Sequence, residues 1–255
     1  MDNNSEKIQK YLAGCGLCSR RGAEELVRSG RVKVNGAVVT DPAVRVIPGQ
    51  DRVECDGRAV QPVSDANPRG LILYKTAGTV TSAADPHNPD TVYGLLPPAE
   101  RSRRWIYVGR LDKDSEGLVL FTDSGELAHR LTHPSFKVPK RYVVRVAGQI
   151  EIRHLRQLEH GIIIDGIQMR MDRAQVNRRT LESTTLDVIL HQGEKRQIRR
   201  MLERIGFKVE YLCRTEIGPI RIAGLAPGQH RRLTSREMRE LERFPSGQND
   251  DIEQS

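Results

Sequence analysis

The chain has 255 residues, 37% hydrophobic and 4% aromatic, with 41 Lys and Arg against 33 Asp and Glu, giving a formal net charge of +8. That is enough apolar material for a core in one large or two smaller domains, which excludes a disordered chain, and the basic balance points to a polyanionic partner. No apolar run approaches the ~20 residues of a spanning helix, and the segment from Met1 to Lys7 lacks the apolar core of a signal peptide, so a cytoplasmic protein with no membrane partner is expected.

In chain order, Ser5 is placed to cap a helix whose apolar positions Ile8, Tyr11, Leu12 and Cys15 recur at helical spacing. Ser19 can cap a second helix carrying Ala23, Leu26 and Val27 and stopped by Gly30. A hairpin follows, in which Val32 and Val34 alternate, Asn35-Gly36 supplies positive φ angles and Ala37, Val38 and Val39 return; Asp56-Gly57 marks a second turn. Turn-formers across Ser64-Asp65-Ala66-Asn67-Pro68-Arg69-Gly70 mark a linker. Residues 1–65 are therefore expected to form one module, 66–245 a second domain and 246–255 a disordered polar tail. The first module holds ten Lys/Arg against nine Asp/Glu, yet Arg20, Arg21, Arg28, Arg31 and Lys33 fall within fourteen residues. They describe either a basic face for RNA phosphates or a solvated face partnered by Glu24 and Glu25. Cys15 and Cys18 have the spacing of a zinc pair, but no second pair completes four ligands, so packing is expected and no metal site.

In the second domain, strand-rich stretches at 71–75, 105–111, 118–121, 141–147 and 185–191 describe an α+β fold with a largely antiparallel sheet. Trp105-Ile106-Tyr107-Val108 favours a strand, and a strand continuing through Gly109 would put Arg110 and Asp112 on one face. A turn at 113–117, a buried strand at 118–121 and a helix capped by Asp123, with Glu126 three residues on, should follow. Taken alone, Arg110 and Asp112 describe either a nucleophile with its escort or a structural ion pair on a hairpin. His129 and His133 share helical spacing without an intervening carboxylate and are expected at the surface or as caps. Further on, 197–202 scans as an amphipathic helix with Ile198, Met201 and Leu202 inward, and residues 193–243 carry thirteen Lys/Arg against seven Asp/Glu.

The run Gly109-Arg110-Leu111-Asp112-Lys113-Asp114-Ser115-Glu116-Gly117-Leu118, continued by Gly125-Glu126-Leu127, His133-Pro134 and Lys140-Arg141-Tyr142, closely resembles the central motif of bacterial pseudouridine synthases that isomerise single uridines in ribosomal RNA. Leu73-Tyr74-Lys75 with Gly78 upstream, and Gly193-Glu194-Lys195-Arg196-Gln197-Ile198-Arg199-Arg200-Met201 downstream, match two further motifs of that family in order. Ser19-Arg20-Arg21 through Gly30-Arg31-Val32-Lys33-Val34-Asn35-Gly36 resembles the αL RNA-binding motif, which binds structured RNA by shape and backbone.

The resemblance implies a central mixed sheet with an active site across its middle and three catalytic residues. These are Asp112 as the reacting carboxylate, Arg199 as the cation that keeps it charged, and Tyr142 packed on the uracil ring. Arg110 would fill the gap left by an extruded base. Lys75, Lys140, Lys195, Arg196, Arg20, Arg21, Arg31 and Lys33 are expected to contact RNA. Because the isomerisation moves a bond from nitrogen to carbon with no redox change, no cofactor is expected. The implied partner is ribosomal RNA, bound by a monomer. Segments such as 121–128 and His133-Pro134 look most like the large-subunit enzymes; a small-subunit target, or a noncatalytic ribosome-assembly factor on the same fold, is the alternative. Two positions depart from the family pattern: Thr76 stands where a proline commonly follows the motif lysine, and Asn88-Pro89-Asp90 stands where Gly-Arg-Pro is common.

Overall fold

The computed structural model describes residues 5–61 and 68–244, which fall into two compact units, Met1–Asn67 and Pro68–Ser255. Positions 64–67 of the expected linker, and the expected tail at 246–255, lie outside the described residues.

The first unit runs β1 (Glu6–Lys7), α1 (Ile8–Gly14), α2 (Arg20–Arg28), β2 (Val32–Val34), β3 (Ala37–Val39), β4 (Arg45–Val46), β5 (Val53–Cys55) and β6 (Arg58–Ala59). Ser5 does not cap α1. Glu6 and Lys7 pair antiparallel with Val46 and Arg45, and the Ile8 amide donates to the Val44 carbonyl at 2.8 Å, so a strand ladder satisfies the helix start in place of a side chain. Ser19 does cap α2, accepting from the Gly22 amide at 3.1 Å. Ile8, Tyr11 and Leu12 of α1 meet Ala23 and Val27 of α2 over Val32, Val46, Val53 and Cys55. Cys15 and Cys18 pack against the same core. The four-stranded sheet has order β3-β2-β5-β6, and Asn35 and Gly36 turn its first hairpin at φ 51° and 85°.

The second unit continues β7 (Gly70–Lys75), α3 (Pro98–Arg101), β8 (Ile106–Val108), β9 (Glu116–Thr122), α4 (Gly125–Thr132), β10 (Lys140–Ala147), α5 (Ile152–His160), β11 (Ile162–Ile164), β12 (Ile167–Met169), β13 (Arg173–Arg179), β14 (Ser183–Leu190), α6 (Gln197–Arg204), β15 (Val209–Ile217), β16 (Ile220–Arg221), β17 (His230–Arg232) and α7 (Ser235–Arg243). Its mixed sheet has order β13-β14-β10-β15-β9-β7-β17, with β16 beside β15 and β8 beside β9. Among the described residues the β9–β15 ladder is parallel and the other ladders of this sheet are antiparallel. Leu158 of α5 and Ile198, Met201 and Leu202 of α6 share a core with Leu71, Leu73, Val119, Phe121, Val144 and Val188 of the sheet. Leu127 and Leu131 of α4 and Met238 and Leu241 of α7 share a second with Ile72, Leu118 and Leu120, which alternate with the first set along β7 and β9 and so face the other way.

Two local expectations change. The helix after β9 is capped by Ser124, which accepts from the Leu127 amide at 3.1 Å; Asp123 instead accepts from the Arg69 amide at 2.7 Å, tying the start of the domain to the end of β9. The strand expected at 105–111 ends at Val108, because Gly109 takes φ +70° and turns the chain out of the ladder. Arg110 and Asp112 therefore sit on a turn and not on one strand face.

Candidate active site

The β8–β9 connection, Gly109 to Ser115, stands at the N-terminal end of β9, where that strand leaves β8 and meets β15 through the pairs Cys213–Glu116 and Arg214–Gly117. Each backbone carbonyl of the connection accepts a hydrogen bond. Gly109 and Arg110 accept from the Arg214 guanidinium at 3.0 and 3.4 Å, and Leu111 accepts from the Thr81 hydroxyl at 2.9 Å. Asp112 accepts from the Ser115 amide at 3.1 Å, and Lys113 from the Gly78 amide at 2.8 Å. Asp114 accepts from Arg199 at 2.8 Å and Ser115 from Lys75 at 2.6 Å. A loop so fully bonded gives its side chains a fixed origin.

From that loop, Asp112 keeps 35% of its side-chain surface open, and its carboxylate lies 3.9 Å from the Arg196 guanidinium. Asp114 takes the stronger share of the cations. Arg196 grips it with two bonds of 2.9 and 3.0 Å, and Arg199 stands 3.4 Å away. The Arg196 fork holds the Asp114 carboxyl below the usual carboxylate range, and Asp114 in turn pushes the Arg196 guanidinium up. Arg199 is pulled down by burial, with Asp114 opposing. Arg196 caps α6 in the left-handed region at φ 54°, a conformation that costs about 1–2 kcal/mol for a residue with a side chain.

Arg199, expected as the cation that keeps Asp112 charged, pairs with Asp114, and among the described residues the cation in ion-pair range of Asp112 is Arg196, expected as an RNA contact. Arg196 caps α6 and Arg199 lies in its first turn, three residues on, so both reach the same loop, and Asp114 near its apex takes Arg199 first. Lys75 and Lys140 are corrected as RNA contacts. Lys75 is 0% exposed and gives its ammonium to the carbonyls of Thr76, Lys113 and Ser115. Lys140 is buried and donates to the Val138 carbonyl. Burial lowers both to about 8, with nearby carboxylates, Asp114 foremost, opposing at Lys75 and Arg214 adding at Lys140.

Arg110 and Lys195 are exposed, as an RNA contact requires. Tyr142 is buried in the main core and lies in one row across the sheet: Lys75 pairs with Gly117, Gly117 with Arg214, Arg214 with Tyr142 and Tyr142 with Val188. With strands about 4.8 Å apart, Tyr142 stands roughly 10 Å from the start of β9. In the first unit Arg20, Arg21, Arg28, Arg31 and Lys33 are exposed. Arg31 is already forked onto Asp56 at 2.8 and 2.6 Å, whereas Glu24 and Glu25 form no ion pair with the others among the described residues.

Sequence reasoning missed Thr81, Asp114, Ser115 and Arg214. Asp114 and Ser115 lie inside the motif, where the sequence marks them only as turn residues. Arg214 lies in Val209-Glu210-Tyr211-Leu212-Cys213-Arg214, a segment whose apolar residues describe a strand.

A half-open carboxylate among arginines, on a loop fixed at the middle of a mixed sheet, defines an enzyme site built for a polyanion. The family described as RNA pseudouridylate synthase matches residues 70–204, and the S4 domain matches residues 6–53. The chain belongs to the RNA pseudouridylate synthase family, as an enzyme with an N-terminal S4 RNA-binding domain. It is 39% identical over 236 residues to an uncharacterised RNA pseudouridine synthase of Mycobacterium tuberculosis, covering 92% of each chain. It is 36% identical over 238 residues to ribosomal large subunit pseudouridine synthase B of Bacillus subtilis, covering 92% of this chain and 95% of that one. A crystal structure of a pseudouridylate synthase, 28% identical, superposes with a TM-score of 0.64 over 92% of this chain and 99% of the other.

Proposed function

We propose that this enzyme isomerises a specific uridine of ribosomal RNA, in the large subunit, with Asp112 as the reacting carboxylate. The observation that carries the reading is the loop from Gly109 to Ser115: every carbonyl is bonded, and the Asp112 carboxylate, 35% exposed, stands 3.9 Å from the Arg196 guanidinium without the two-bond grip that Arg196 takes on Asp114. The large-subunit assignment is supported by the Bacillus subtilis relative and by the match running the length of both chains.

The target atoms of a uridine lie inside a stacked RNA, so the base is extruded before reaction and Arg110, exposed two residues before Asp112, enters the space it leaves. Asp112 then attacks or deprotonates the nucleoside, releasing uracil from its ribose nitrogen bond. Arg196 and Arg199, reaching the same loop, hold the negative charge of the carboxylate and of the detached uracil. The base rotates against Tyr142 and rejoins through carbon. Exposed Lys195 and the S4 face of Arg20, Arg21 and Lys33 bind phosphates, which carry affinity without choosing the base. The enzyme works as a monomer. A small-subunit target is the alternative that the same chemistry admits.

Pseudouridine mapping across both ribosomal RNAs, in cells with and without the gene, tests this directly. One site lost from the large-subunit RNA supports the proposal. A site lost from the small-subunit RNA corrects the substrate, and no lost site in either RNA contradicts it.

A further inference from the structure

Among the described residues Arg214 is the largest fully buried side chain, 1% exposed, and takes no carboxylate partner. Its donors go to three carbonyls: Nε to Leu118 at 2.8 Å, and its two terminal nitrogens to Gly109 and Arg110. Gly109 and Arg110 enter the Asp112 loop, and Leu118 lies just past its exit, so one planar fork clamps both ends of the loop. A lysine carries its three donors on one nitrogen and cannot reproduce the planar spread of the guanidinium. The approach is close: a Cβ on Gly117 would lie 2.3 Å from the Arg214 carbonyl oxygen and 2.6 Å from its amide nitrogen. In the ladder Arg214 also pairs with Tyr142, so the same residue sets where the strand bearing the tyrosine lies relative to the carboxylate.

Between the two clamped ends, the Leu111 peptide is held by Thr81. Its hydroxyl donates to the Leu111 carbonyl at 2.9 Å and accepts from the Leu111 amide at 3.2 Å, using one proton and one lone pair on the peptide next to Asp112. Thr81 is itself buried.

We infer that Arg214 and Thr81 are positioning residues of the reaction, which fix the distance from the Asp112 carboxylate to the extruded nucleoside without touching RNA. The inference rests on the proposed role of Asp112. It separates from a general stabilising role because a misplaced reacting group slows the chemical step while the RNA-binding surface is untouched; a displacement of about 1 Å costs about 100-fold.

The test measures single-turnover rate and RNA affinity for the full chain, using large- and small-subunit ribosomal RNA transcripts labelled with 5-tritiated uridine, alongside thermal melting. Arg214→Lys should bind RNA with an affinity within about threefold of the parent and react about 100-fold more slowly, as expected for a roughly 1 Å displacement. Thr81→Val, nearly isosteric and free of the Arg214 burial problem, should show the same split with a loss on the order of tenfold, and Thr81→Ser should recover most of that loss. If Arg214→Lys fails to fold, the Thr81 pair carries the test alone. Parental rates in folded Arg214→Lys or Thr81→Val, or a loss of affinity with the rate unchanged, overturn the inference. Asp112→Asn is run in parallel. If it still turns over, the role of Asp112 has failed; if it is inactive while both positioning variants keep the parental rate, only the positioning inference has failed.

Discussion

At the scale of single residues, charge in this chain divides into groups that face solvent and groups that are spent inside. Lys75 and Arg214 lie in one row across the sheet and give their hydrogen bonds to carbonyls around the Asp112 loop. A buried lysine with a pKa near 8 has a clear linkage consequence. The unfolded chain keeps that proton to about pH 10.5, so from pH 8 upward the unfolded state binds more protons and stability rises with pH. Relative to Lys75→Met, which has no proton to lose, the parent should gain up to about 1.4 kcal/mol of unfolding free energy per pH unit between pH 8 and 10. Denaturant melts of both proteins across that window check it, and a flat difference would show that the Lys75 carbonyl bonds hold its proton on. At Asp112, substitution by Glu adds one methylene and moves the carboxylate by about 1 Å, which should cost about 100-fold in rate with RNA affinity unchanged. Single-turnover kinetics measure it, and a loss under threefold would contradict a fixed reacting geometry. The motif made Asp112, Arg196 and Arg199 legible in the sequence. It did not reveal that Lys75 and Lys140 are buried, because a lysine's letter says nothing of which way its strand faces.

Elements place these residues more narrowly than their own propensities do. β9 was legible as an apolar run, yet its position depends on Gly117, which holds φ +108° and lies under Arg214 too closely for any side chain. Gly117→Ala combines a left-handed-side φ with backbone overlap, and should destabilise the second unit by about 2–6 kcal/mol. A thermal melt within one degree of the parent would contradict the closeness of the β9–β15 approach. β13 and β15 were not read from the sequence for different reasons. β13, at the sheet edge, is exposed and rich in arginine, so it lacks the apolar alternation of a strand. β15 has that alternation, interrupted by Arg214 at a position where a charge argues against burial. The missed strand is the one that carries Arg214, so the clamp beneath Asp112 could not be found without it. The strand overextended through 109–112 failed at Gly109, whose positive φ the sequence permits but does not demand.

For the whole molecule, the basic excess of the second unit and the exposed arginines of the first make two candidate RNA-contacting surfaces, each argued from its own unit. In the S4 domain, Arg20, Arg21 and Lys33 are exposed, while Arg31 is already neutralised by Asp56. Replacing Arg20, Arg21 and Lys33 with Ala in the full chain should lower the slope of log affinity against log salt by roughly 0.7–0.9 per residue, and Arg31→Ala by less. Filter-binding titrations across a salt series measure this, and an unchanged slope in the triple variant would assign those side chains to solvent. The central claim is that this family member uses Asp112 to isomerise a ribosomal uridine. The C5 hydrogen of uridine must leave when C5 takes the bond to ribose, so tritium released from 5-tritiated ribosomal RNA counts turnovers. Incubated with large-subunit transcripts, the parent should release one equivalent per RNA, and Asp112→Asn, folded and binding with parental affinity, should release none; release by Asp112→Asn at the parental rate would contradict it.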